Sequence, residues 1–94
     1  MQFEWDEHKN KRNQRKHGLS FETVALVFRD PNVLSELDKR YEDIEERWYS
    51  IGRIGITVVY VSHTIVESEH GEEIIRIISA RKATSSEKRR YYTQ

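Results

Sequence analysis

The sequence predicts an α+β fold: an antiparallel sheet of about four to five strands, preceded by two helices and followed by one. Three observations lead there. Residues 6–29 hold two helix starts, at Asp6 and Ser20, divided by Gly18. Residues 33–80 are short apolar runs separated by turn residues. Thr84 and Glu87 then form a capping box. Ninety-four residues suit one domain, over residues 1–94, with a modest core.

Each element has its own signal. Phe3-Glu4-Trp5 alternates, which predicts a short edge strand. Asp6 caps a helix over 7–17, which His17 and Gly18 close. That helix holds no aliphatic residue and no Phe, Tyr or Trp, so it is expected on the surface with most of its circumference wet. Ser20 caps a second helix over 21–29, in which Phe21, Val24, Ala25 and Phe28 form an apolar stripe ended by Asp30-Pro31. A meander follows: a strand over 33–37, an acidic mobile connection over 38–45, and a strand over 47–51. Residues 52–55 supply a turn, and 56–65, apolar on both faces, is the expected central strand. A turn at 69–72 leads to the last strand, 73–80, and the helix capped by Thr84 ends in Arg89-Arg90-Tyr91-Tyr92.

Composition excludes several classes of function. There is no cysteine, hence no disulfide framework and no thiolate metal site. The N-terminus lacks a signal-peptide pattern and no apolar run is long enough to span a membrane, so a soluble cytoplasmic protein without membrane contact is expected. No glycine-rich phosphate loop, nucleophile elbow or zinc spacing occurs. No metal and no cofactor is therefore expected. The net charge is zero but segregated. Residues 8–17 hold Lys9, Lys11, Arg12, Arg15 and Lys16 with no acid, while Glu36, Asp38, Glu42, Asp43, Glu45 and Glu46 gather in the middle. A polyanion can bind one surface of such a chain although its overall charge is balanced.

The candidate chemistry centres on Arg76-Ile77-Ile78-Ser79-Ala80-Arg81-Lys82, read as a buried strand with a cation inside and cations at its exit. A guanidinium is costly to bury unpaired and its fork fits phosphate. Cleaving RNA needs little more than such groups, because the ribose 2′-hydroxyl is a built-in nucleophile. Arg76 and Arg81 are candidates to stabilise a pentacovalent phosphate, His17 to transfer a proton, Glu46 to act as base, and Tyr91 or Tyr92 to orient the phosphate or stack on a base. Lys9, Arg12, Lys16, Arg47, Lys82, Arg89 and Arg90 are the candidate RNA-binding residues. Each has a structural alternative. His17 can compensate the helix dipole, Glu46 and Arg47 can pair across the sheet, and Arg76 can pair with Glu46.

The motifs taken together resemble the BrnT family of bacterial toxins. The matching stretches are Phe3-Glu4-Trp5-Asp6, Lys9-Asn10 with Asn13, Lys16-His17-Gly18, Ser20-Phe21-Glu22, Val27-Phe28 with Asp30-Pro31, Glu45-Glu46-Arg47-Trp48 with Ile51-Gly52, and Ile75 to Ala83. The resemblance implies a RelE-like fold and a metal-independent endoribonuclease that arrests translation. It implies neutralisation by a BrnA-type ribbon-helix-helix antitoxin, contact with operator DNA only through the antitoxin complex, and room for a toxin homodimer within a heterotetramer.

The chain departs from the family in one place. Relatives often carry an arginine shortly after the central strand's threonine, whereas here Ile65 and Val66 follow Thr64 and the stretch to Gly71 is acidic. Arg53 or Lys82 is the candidate replacement. The departure motivates a competing expectation: a weak or inactive homologue that binds antitoxin without catalysis. A standalone DNA binder would use helix 7–17, which forms no helix-turn-helix pattern with its successor.

Overall fold

Asp6 starts the first helix as its residue type predicts, its carboxylate accepting the Lys9 amide at 3.1 Å. The computed structural model describes residues 1–94. It is an α+β fold in which strand β1 (Gln2–Trp5) leads into helix α1 (Glu7–His17), and α1 ends at Gly18, whose φ of 69° is the left-handed cap. Ser20 caps α2 (Phe21–Val24). The expected single helix over 21–29 changes type midway, because residues 25–29 tighten into a 3-10 segment. Strands β2 (Leu34–Leu37), β3 (Trp48–Ile54), β4 (Thr57–Glu67) and β5 (Glu73–Lys82) follow, and α3 (Ser85–Tyr92) closes the chain behind the capping box of Thr84 and Glu87.

The sheet order is β1-β5-β4-β3-β2. β4 is central, as its two-faced apolar sequence predicts. The sheet is antiparallel except at one edge, where β1 pairs parallel to β5. The reason is the crossover: α1, α2 and three strands lie between β1 and β5, so no hairpin forces them antiparallel. Two further boundaries differ from expectation. Gly52 is not a turn residue but sits inside β3, where a Cβ would come within 2.7 Å of the Val27 side chain; it lets the 3-10 segment approach the sheet. The hairpin turns instead at Gly55, with φ of 60°. The acidic connection expected to be mobile begins with a 3-10 turn over Lys39–Tyr41, capped by the buried Asp38.

One sheet face packs under the helices: Phe21, Val24 and Val27 meet Val59, Val61, Ile75, Ile77 and Ala80. The opposite face is covered only at one end, where Tyr91 of α3 packs on Ile51, Val58 and Ala83.

Helix α1 has no apolar stripe, and most of its circumference is exposed, as expected; the side that faces the protein is not apolar. Two asparagines are buried instead. Asn10 accepts the Phe21 amide at 2.7 Å and donates to Glu7 and Glu22. Asn13 donates to the Leu19 carbonyl at 2.9 Å and accepts the Ala80 amide at 3.0 Å. Directional hydrogen bonds thus do what a hydrophobic stripe usually does. Asn13→Ala leaves the buried Ala80 amide and the partly buried Leu19 carbonyl without this partner, and a loss of about 1–3 kcal/mol, mostly from the Ala80 amide, is expected in urea unfolding, without a change of fold.

His63 lies under the helices, 1% exposed, its Nε2 2.8 Å from Ser50 Oγ and its ring edge-on to Phe28. Burial pushes its pKa down from 6.5 to about 4. The unfolded chain therefore takes up this proton first. The stability that His63 contributes is intact above about pH 6.5 and is lost as the pH falls towards 4, by about 3 kcal/mol at most. Urea midpoints at pH 7, 5.5 and 4 measure this slope, and His63→Gln is expected to flatten it over that range.

Candidate functional site

Arg76 and Arg81 are five residues apart, and in a regular strand they would face opposite sides of the sheet. They do not, because β5 carries a bulge. Ser62 pairs with Ser79 but His63 pairs with Ile77, so Ile78 is an extra residue. One extra residue inverts the alternation beyond it. Ile77 and Ala80 both enter the core under the helices, and Arg76 and Arg81 both stand on the other, open face. The bulge lies where β1 has ended, since Trp5 pairs with Ile77, and where Asn13 of α1 takes the Ala80 amide.

Arg81 is fixed in place. Its two terminal nitrogens donate to both oxygens of Glu87, at 2.8 and 3.0 Å, and its guanidinium lies 4.2 Å from the Tyr60 ring centroid. Glu87 also closes the capping box of α3 by accepting the Thr84 amide at 2.9 Å. The Arg81 hydrogen bonds hold the Glu87 carboxyl below its usual range. Tyr60 stacks on Tyr49 at 5.2 Å with an interplanar angle of 15°, and Arg90 lies on Tyr49, 5.6 Å from its centroid. A continuous Arg81–Tyr60–Tyr49–Arg90 stack thus crosses the open face. Glu36 binds both Arg90 and the Tyr49 hydroxyl, and Arg40, held by Asp38, donates to the Tyr60 hydroxyl. Arg76 pairs with Glu4 of β1 at 2.7 Å.

These arginines are all compensated by carboxylates. The cations of α1 are not: Lys9, Arg12 and Lys16 form no ion pair. With His17 and Asn13 they line a shallow cleft against Ile78 and Ser79, at the bulge itself. The arrangement therefore offers an uncompensated cationic cleft, lined by α1 and the bulge, and two guanidinium groups that share the open face of the sheet. That combination can hold a phosphodiester chain and neutralise charge on one of its phosphates.

A model of the family described as "Ribonuclease toxin, BrnT, of type II toxin-antitoxin system" matches residues 5–87. The chain belongs to the BrnT family. No curated protein matches it. BrnT proteins are ribonuclease toxins of type II toxin–antitoxin systems, so an antitoxin partner is implied. No helix of the structure is long and apolar enough to cross a membrane.

Within this BrnT fold the other sequence candidates are spread out. Arg76 pairs with Glu4, not with Glu46, and its side chain is 43% exposed rather than buried; the neighbouring β1 supplies the acid. Glu46 is exposed on the connection before β3, and Arg47 pairs with Glu45 while lying 3.9 Å from the Tyr41 ring centroid. Lys82 and Arg89 are exposed and form no ion pair. Tyr91 is buried and donates to Asp30; burial first, and then that bond, pushes its pKa up to about 12, and Tyr92 is the exposed member of the pair. Arg53 does not replace the arginine missing after Thr64. It pairs opposite Val58, six residues along β4 from Thr64, about 20 Å away.

Sequence reasoning missed Tyr49, Tyr60, Glu4 and Ser79. The tyrosines stand at outward positions of strands whose apolar neighbours face in, which is a legible signal. The register that stacks them is not.

Glu87 serves both the cap and Arg81. Glu87→Ala is expected to cost about 1–2 kcal/mol in thermal unfolding. Glu87→Gln, which keeps an acceptor for the Thr84 amide, is expected to recover part of that loss.

Proposed function

We propose that this chain is a metal-independent endoribonuclease, made and held in check as the toxin of a type II toxin–antitoxin pair, which cleaves RNA through its own 2′-hydroxyl and so arrests translation. The observation that carries the reading is the bulge at Ile78, which sets Arg76 and Arg81 on one face of the sheet, while the unpaired cations of α1 line a cleft at the bulge itself. The RNA backbone lies along Lys9, Arg12 and Lys16, with Arg47, Lys82, Arg89 and Arg90 at the margins of the face.

A base removes the 2′-hydroxyl proton, and the 2′-oxygen attacks the adjacent phosphorus. Arg76 and Arg81 neutralise the pentacovalent phosphate, and an acid protonates the departing 5′-oxygen. The products are a 2′,3′-cyclic phosphate and a 5′-hydroxyl. His17, at the end of the cationic groove, and Glu46, before β3, are the proton-transfer groups. Tyr91 acts through α3, whose position its bond to Asp30 fixes. Substrate phosphate must compete with Glu4 and Glu87 for the two arginines.

The partner in this reading is a BrnA-type ribbon-helix-helix antitoxin, and operator DNA is reached only through that complex, in the cytoplasm. A second reading is favoured by one observation: Arg76 and Arg81 are both already paired with carboxylates in the free chain. The fold would then be an antitoxin-binding module with little catalysis.

The deciding experiment is cleavage of a purified RNA by antitoxin-free protein in excess EDTA, beside Arg76→Ala and Arg81→Ala. Wild type is expected to cleave and to leave cyclic phosphate ends, with each variant reduced by about 100-fold or more. Intact RNA with folded, antitoxin-competent wild type would favour the binding module.

A further inference from the structure

The distribution of ion pairs singles out a second surface. Five of the ten arginines have carboxylate partners; of the other five, Arg12 and Arg15 stand on α1, Arg89 on α3, and Arg29 and Arg53, both exposed, at the hairpin end of the sheet. They flank one cleft, lined also by Leu26 and Ile54 at the β3–β4 hairpin. Apolar side chains surround it. Ile56, at the hairpin tip, is 95% exposed, Leu26 is 40% exposed, and Tyr92, beside Arg53 in an adjoining hollow, is 59% exposed. The one acid in the cleft, Asp30, is already engaged: its oxygens accept the Tyr91 hydroxyl and the amides of Asn32 and Arg53. It holds the hairpin and α3 together and does not quench the guanidinium groups at ion-pair distance. Arg53 pairs opposite Val58, six residues along β4 from the Thr64–Arg76 pair and two from the Tyr60–Arg81 pair, so the cleft lies at the hairpin end of the sheet, beyond Arg81.

We infer that this cleft is the anchoring site for an acidic, amphipathic segment of the antitoxin. The inference rests on the toxin–antitoxin reading above and adds where, and by what chemistry, the partner is held. Unpaired guanidinium groups beside exposed isoleucine, leucine and tyrosine match a segment that alternates carboxylates with apolar side chains. Electrostatics favours the same occupant. An antitoxin that grips DNA with one part needs a different part for the toxin, and an acidic segment is repelled by DNA phosphate and attracted by Arg29 and Arg53. Isolated apolar residues at a surface need no explanation, but a cluster rimmed by unpaired cations is the composition of an interface.

The test uses the full-length chain and the purified antitoxin encoded beside it. Affinity is measured for wild type, for Arg29→Glu with Arg53→Glu, and for Ile56→Asp, with thermal unfolding as the check on folding. Each variant is expected to fold as wild type, to cleave RNA as wild type and to bind antitoxin at least about 10-fold more weakly, the charge variant losing most at low salt. Amide exchange is expected to slow at residues 26–29 and 54–57 when antitoxin binds. Wild-type affinity in both folded variants, or protection confined to the open sheet face, would overturn the inference. So would loss of self-association instead of antitoxin binding, which would make a second copy of the chain the occupant. Failure of wild type to bind the antitoxin at all would overturn the toxin–antitoxin reading itself, and this site with it.

Discussion

The hydrogen bond from the Ala80 amide to Asn13 is the contact on which the rest of the structure turns. β1 accompanies β5 only as far as Ile77. Beyond it the edge of β5 would present unpaired backbone to water, and α1 is the only element positioned to cover it. Asn13 supplies the acceptor that a longer edge strand would have supplied. The same side chain fixes the turn into α2 through the Leu19 carbonyl, and Asn10 repeats the arrangement at Phe21. A helix with no apolar residue is thereby docked in one orientation, with its cations left facing outward over the bulge.

The bulge converts that docking into a site. By inverting the alternation of β5, Ile78 keeps Ala80 in the core and still delivers Arg81 to the face that already holds Arg76. Arg81 then enters a network that reaches across the sheet through Tyr60 and Tyr49 to Arg90 and Glu36, and into α3 through Glu87. Such a network costs side-chain freedom, but it leaves the guanidinium preorganised, and binding energy is then not spent on ordering it.

Charge is sorted by function as much as by position. The arginines of the open face are held in pairs, which makes them directional rather than strongly attractive. The cations of α1, and Arg29 with Arg53 at the hairpin end, stay uncompensated and can attract a partner from a distance. A zero net charge thus coexists with two separate cationic surfaces, one suited to a phosphate chain and one to carboxylates with apolar neighbours.

The sequence by itself determined the α+β class, the three helix starts, the central place of β4 and the family, because caps, apolar periodicity and motif order are local properties of the chain. It also marked Arg76, Arg81 and the α1 cations as the candidate chemistry. Only the tertiary structure decided the parallel pairing of β1, the role of Gly52 as a packing gap rather than a turn, and the partners of the charges: Glu4 for Arg76, Glu87 for Arg81, Asp30 for Tyr91. Those depend on register and on contacts between residues as much as 72 positions apart. A single extra residue in β5 changes which side chains can meet, and nothing in the local sequence around Ile78 announces it, because the bulge is set by where β1 stops and Asn13 begins.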